Sequence, residues 1–285
     1  MATFATSDQL LMIIDSAARQ TDGEAVRIAK DVLSAGAAAK LCLPEGPEEF
    51  ARALGRRGSR RPVVIGDGRA LARAVALLHR QRELAGCALS VVPVGDTALA
   101  ESLGVPGNPV AAARAVLDGV ERRLDLLVDD SDGVVLGTLG IPPAPVRAAA
   151  ARPLPLASGR PWYRSLVRTL APRPTRLSAV PSPCVARLRV EVDGETVVDL
   201  DQPVEAVSVT PGADGAASVE VRPLSVGAEA TPLLVSGRTV TVTGADFRYR
   251  ADAAVSGPVR RRTWRVAEGA WGLVLPSAAW AGHPR

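Results

Sequence analysis

The sequence predicts an α/β chain in two parts: a parallel sheet covered by helices in the first half, and a β-rich, sandwich-like second half. Three observations lead there. Short apolar runs alternate with helical patterns up to about residue 140, a stretch rich in Pro, Ala and Arg follows at 142–183, and from Cys184 onward apolar and polar residues alternate with period two. A chain of 285 residues is long for one core. We therefore expect an α/β domain over residues 1–140 and a β-rich domain over 141–285, joined by a helical, Pro-rich connection at 141–183.

The elements follow in order. "LLMIID" (Leu10–Asp15) reads as a strand, and the helix after it places Val26, Ala29, Val32 and Leu33 on one face. "AKLCLP" precedes "PEEFARALGRRG", "PVVIGDG" precedes "RALARAVALLHRQREL", and "ALSVVPVGD" precedes "TALAESLG" and "NPVAAARAVLDGV"; "RLDLLVDD" then closes the run. Repetition of strand and helix implies parallel strands buried on both faces, with ligands beyond their carboxyl ends. In the connection, "WYRSLVRTL" (Trp162–Leu170) reads as a helix, either structural or facing lipid. The later runs, among them "ARLRVEVDGETVVDL", "VEAVSVT", "DFRYRAD" and "RTWRVAEGAWGLVLP", are separated by Asp-Gly and Gly-Ala turns of the hairpin kind.

Composition narrows the function. All but two of the 34 basic residues are arginines, the lysines being Lys30 and Lys40, and the net charge is only +4. Aromatic content of 3% argues against a single-strand nucleic-acid platform, which needs rings for bases to stack on. An anionic lipid or a phosphate is the more natural partner. Cys42, Cys87 and Cys184 are widely spaced, and the histidines are His79 and His283, so neither a zinc site nor a disulfide framework is expected. "LLMII" has no cationic stretch before it and is too short to span a membrane, so a cytoplasmic location is expected.

Three stretches carry candidate chemistry. Gly66-Asp67-Gly68 follows a strand and opens a helix whose N-terminal amides and dipole suit a phosphate, although a plain strand-to-helix turn would use the same residues. Leu71 stands where a Rossmann fingerprint has its third glycine. The second stretch, Val91 to Leu127, contains "VPVGDTALAESLGVP" and "AARAVLDGVERRLDLL". The third, "FRYRADAAVSGPVRRRTW", contains Asp252-Ala253-Ala254.

Together with "VIGDGR", these stretches resemble the diacylglycerol kinase catalytic-domain family of soluble lipid kinases, which is related to NAD kinases. There, one strand ends in Gly-Gly-Asp-Gly-Thr, a later one ends in Pro-Leu-Gly-Thr-Gly-Asn before a leucine-glycine-x-proline segment, and a late Asp-Gly-Glu returns to the cleft. The match runs from Leu10 to about Leu139. It implies a nucleotide site at Gly66, Asp67, Gly68, Arg69, Gly95, Asp96 and Thr97, with ATP and Mg²⁺ as cofactors, Asp67 as a metal-linked or catalytic carboxylate and Asp252 as a second catalytic candidate. A membrane lipid met at the membrane surface would be the acceptor.

Each motif departs from that pattern. Ile65 replaces the first glycine and is expected to crowd the phosphate turn, while Arg69 replaces a threonine and supplies a cation. Asp96-Thr97-Ala98 replaces Thr-Gly-Asn and brings a carboxylate near the nucleotide, and Ala254 removes the late glutamate. An intact Asp-Gly-Glu at Asp193–Glu195 reads instead as a hairpin turn. Two readings remain: an ATP-dependent lipid kinase with weakened motifs, and a non-catalytic pseudokinase that binds nucleotide, lipid or a protein partner. An NAD kinase is disfavoured by the leucine-glycine-x-proline segment.

Overall fold

The computed structural model describes residues 9–143, 186–212, 214–224 and 231–277. The expected helix at Trp162–Leu170, most of the connection, Cys184 and His283 lie outside the described residues.

The first half contains strands β1 (Leu10–Ile14), β2 (Ala39–Cys42), β3 (Arg61–Gly66) and β4 (Ala88–Pro93). Helices α1 (Ser16–Thr21), α2 (Gly23–Gly36), α3 (Pro47–Gly55), α4 (Gly68–Arg80), α5 (Ala98–Ser102) and α6 (Pro109–Asp118) connect or follow them. Local chemistry fixes the helix starts. Asp22, Asp67 and Asn108 cap α2, α4 and α6 with side-chain oxygens, and Pro47 and Pro109 open α3 and α6, where a missing N–H costs nothing. Val26, Ala29 and Leu33 form the buried face of α2, with Val32 partly buried beside them.

These four strands pair in parallel in the order β2-β1-β3-β4. Residues Leu10–Ile14 are all buried, as are Pro62–Gly66 and Leu89–Pro93, which is the burial of strands covered on both faces.

The parallel pattern stops there. β5 (Val120–Asp129), which sequence alternation would place as one more parallel strand, runs antiparallel to β14 (Ala254–Leu275), and β14 pairs in parallel with β4. β14 thus lies between β4 and β5, and most of the sheet is antiparallel. β6 (Val134–Val135) pairs with β5. β7 (Leu139–Ile141), β8 (Ala186–Val192), β9 (Glu195–Val198), β10 (Pro203–Pro211), β11 (Ala217–Pro223), β12 (Leu233–Gly237) and β13 (Thr239–Ala251) complete the chain. Hydrogen bonding runs unbroken along ten strands from β12 to β2, and the other four, β5, β6, β8 and β9, pair off this path. The reason is the length of β14: 22 residues let it pair with β13 near its start and with β5 and β4 near its end.

Buried apolar residues form two clusters. One gathers the parallel strands and their helices; the other gathers Leu188, Val190, Val207, Val219, Val242 and other residues of the antiparallel strands. β14 supplies both, with Trp271 in the first and Trp264 in the second, each fully buried. Among the described residues no helix is long and apolar enough to cross a membrane.

Asp125 pins these parts together. Only 7% exposed, it accepts from the Gly215 amide at 2.8 Å and the Gly269 amide at 2.7 Å, joining β5 to the β10–β11 turn and to an irregularity in β14. Asp125→Ala leaves both amides without their acceptor and should lower unfolding stability by about 2–4 kcal/mol in urea denaturation, with Asp125→Asn milder. A loss below about 0.5 kcal/mol would show that water satisfies both amides.

Candidate functional site

β3 ends in Gly66 and α4 begins at Gly68, so Asp67 stands at the turn as the N-cap. Its Oδ1 accepts from the amides of Arg69 and Ala70, each at 3.0 Å. Neither glycine has a positive φ; both are small because of neighbours. A Cβ on Gly66 would stand 2.9 Å from Ala70 Cβ and 3.2 Å from Asp15 Cβ, and one on Gly68 would stand 3.0 Å from Leu99 Cβ. Ile65 is fully buried in the first core and does not crowd the phosphate turn, contrary to the expectation from its shape.

The second turn lies alongside. Val94 N–H donates to Gly66 O at 3.0 Å, and a Cβ on Gly95 would be 3.9 Å from Asp67 Cβ. Gly95 does need its glycine, with φ at 92°. Asp96 Oδ1 accepts from the Ala98 amide at 3.1 Å, and the Thr97 hydroxyl donates to Glu101 Oε1 at 2.8 Å.

The hairpin between β13 and β14 brings Asp252 to the same place. Its carboxylate accepts from the amides of Leu136, Gly137 and Thr138 at 2.8, 2.7 and 3.1 Å. Burial pushes this carboxyl above its usual range, and the three amides oppose the shift without cancelling it. Asp193-Gly194-Glu195 sits in the β8–β9 turn, where Asp193 accepts from the Arg238 and Thr239 amides. It lines neither cleft described next.

Two clefts meet at Arg69, Asp252 and Ala253. One, of about 590 Å³, is lined by Gly68, Asp96, Leu99, Thr138, Val207 and Arg250, among others. The other, of about 510 Å³, is lined by Arg73, Asp129, Val135, Tyr249, Ala254 and Ser256, among others. Among the described residues nothing pairs with the Arg69 guanidinium, which is exposed. Arg73, one helical turn further on, binds Asp15 Oδ1 at 3.0 Å and lies 5.5 Å from the centre of the Phe50 ring.

The second cleft holds groups the sequence reading missed. Tyr249 Oη donates to Asp129 Oδ2 at 3.3 Å, and Asp129 Oδ1 accepts from the Ser131 hydroxyl, the Ser131 amide and the Gly133 amide. Tyr249 faces Ser256 across the hairpin and meets Trp264 edge-on at 5.2 Å. Behind them Arg262 binds Asp130. Burial alone would raise the Asp129 carboxyl, but the Ser131 hydroxyl, the two amides and Arg262 outweigh it and hold it below the usual range. Burial pushes the Tyr249 phenol up. A signal existed: Tyr249 is one of two tyrosines, on the buried parity of an alternating strand, and Asp129 ends a strand.

Solved structures share this architecture. A protein of Bacillus anthracis str. Sterne described as a "putative diacylglycerol kinase" is 13% identical, aligned over 96% of this chain and 99% of its own, with a TM-score of 0.71. The fold is diacylglycerol kinase-like. A second structure from that organism, described as a diacylglycerol kinase, is 12% identical over 96% of this chain and 99% of its own, with a TM-score of 0.67. No family model and no curated protein matches the sequence.

Because the folded-state Asp129 carboxyl is held low, its contribution to stability is present above the unfolded carboxylate pKa of about 3.9 and is lost as pH falls through the folded value. The stability difference between wild type and Asp129→Asn, measured in urea, should therefore be constant above about pH 5 and shrink below about pH 4. A difference independent of pH would remove Asp129 from the acid-sensitive set.

Proposed function

We propose that this chain binds a nucleotide with its phosphates against Gly66–Arg69 and Gly95–Thr97, and that it transfers phosphate to a lipid hydroxyl very slowly or not at all. One observation carries the reading: the carboxylates that transfer chemistry would use are already engaged by backbone amides. Asp67 caps α4, Asp252 holds three amides, and Ala254 has no carboxylate. Arg69 is the group that favours anion binding, since its fork matches phosphate and no described residue occupies it.

Mg²⁺ fits these side chains poorly. Among the described residues no group of three or more His, Cys, Asp or Glu side chains could hold a metal ion, and Asp67 Oδ1 already accepts two amides. A metal would arrive bound to the nucleotide's own phosphates, where it neutralises charge. The weakened-kinase reading is favoured by the diacylglycerol kinase-like fold and by the placement of Asp252 at the cleft.

Calorimetry with Mg-ATP should show binding, and Arg69→Ala should weaken it about tenfold, as expected for one charge-assisted contact. Transfer of label from ATP to diacylglycerol or a sphingoid base should be very low in wild type. It should rise at least about tenfold in the double variant Ala253→Gly, Ala254→Glu. Robust wild-type turnover would overturn the impairment, and absence of Mg-ATP binding would overturn the nucleotide site.

A further inference from the structure

β2 ends the ten-strand path, and among the described residues no strand lies beyond it. Its pairing with β1 is parallel, so alternate residues turn their backbone groups toward the neighbour. The Leu10 amide donates to Ala38 O at 2.9 Å. Ala38, Lys40 and Cys42 therefore face β1 with their backbone groups, and the amides and carbonyls of Ala39, Leu41 and Leu43 point away from the sheet. β2 is also the exposed strand of the four: Leu41 is 41% exposed and Leu43 47%. An open edge with exposed leucines is a template for another strand.

The charges beside this edge select the partner. α3 joins β2 to β3, both parallel to β1, so the helix runs antiparallel to β2. A groove of about 300 Å³ between them is lined by Lys40, Cys42, Glu49, Arg52 and Arg56, among others. Glu48 and Glu49 stand in the first turn of α3, past the carboxyl end of β2, with Glu45 just before them. Arg56 closes the helix at the amino end of the strands, where Lys40 lies. Glu45 binds Arg19 and Arg52 binds Glu49, while no described residue pairs with Lys40, Glu48 or Arg56. One end of the edge is therefore acidic and the other basic. An anionic membrane or a nucleic acid would meet the carboxylates; the same edge turned by 180° sets opposite charges together at both ends.

We propose that two copies of this chain associate through β2, antiparallel about a two-fold axis at Leu41. Leu41 of each copy then faces Leu41 of the other and exchanges both backbone hydrogen bonds with it, and Ala39 of each faces Leu43 of the other in the same way. The two leucines at the axis cover each other. The α3 helices lie side by side in opposite directions, which puts Lys40 and Arg56 of one copy against Glu48 and Glu49 of the second, twice over. Such a contact is isologous and closed, so it consumes the β2 edge of each copy and offers no place to a third. Lys40, Leu41, Glu48 and Arg56 line neither of the clefts that meet at Arg69, and the association is independent of the nucleotide reading.

Sedimentation velocity of the full chain from about 1 to about 100 µM should show a monomer–dimer equilibrium that added salt weakens. Leu41→Lys sets two cations opposite each other, and Lys40→Glu turns attraction at both ends into repulsion. Both positions are exposed, so thermal unfolding of the dilute monomer should be unchanged, and each variant should raise the dissociation constant at least about tenfold. Lys40→Glu combined with Glu48→Lys exchanges the charges and should return the constant to within about threefold of wild type. A wild type that stays monomeric to about 100 µM overturns the proposal, as does a dimer indifferent to either single variant, since its contact would lie elsewhere. A dimer lost in Lys40→Glu and not restored by the exchange overturns the antiparallel two-fold arrangement.

Discussion

The two halves of the chain are joined through β14. Its first residues pair with β13, and its last lie between β4 and β5, so a single strand contributes Trp264 to one core and Trp271 to the other. Because β14 is fixed at both ends, the hairpin that opens it is fixed too. That hairpin delivers Asp252 and Ala253 to the wall opposite Arg69. The clefts therefore depend on a strand pairing made far from them in sequence.

A second regularity concerns where carboxylates go. Asp15, Asp67, Asp96, Asp125, Asp129, Asp193 and Asp252 all accept from backbone amides. Caps and turns of this kind satisfy donors that helix ends and irregular loops would otherwise leave unpaired, each contributing about 1 kcal/mol. An oxygen bound to two amides has less capacity for a proton or a metal. The turn at Gly66–Arg69 shows the consequence: it keeps its shape through packing against Ala70, Asp15 and Leu99, while the amides of Arg69 and Ala70, which could meet a phosphate, are closed by Asp67. The Arg69 guanidinium stays exposed beside them, with no partner among the described residues.

Much of the first half was legible in the sequence. The apolar runs at Leu10–Ile14, Arg61–Gly66 and Ala88–Pro93 are strands, the intervening patterns are helices, and caps such as Asp67 and Asn108 stand where local chemistry puts them. Period-two alternation in the second half likewise gave strands, and Asp193-Gly194 gave a hairpin turn. These features are local: a run of side chains, a cap or a positive φ is written within a few residues. Partner choice is not local, so periodicity could not say that β5 pairs antiparallel with β14 or that β14 serves both cores. The role of Ile65 was misread because motif position alone does not reveal which way a strand residue faces. The meeting of Arg69, Asp129, Tyr249 and Ser256 joins three distant segments, and only the tertiary structure decided it, because side chains so far apart in sequence become neighbours through strand pairing alone.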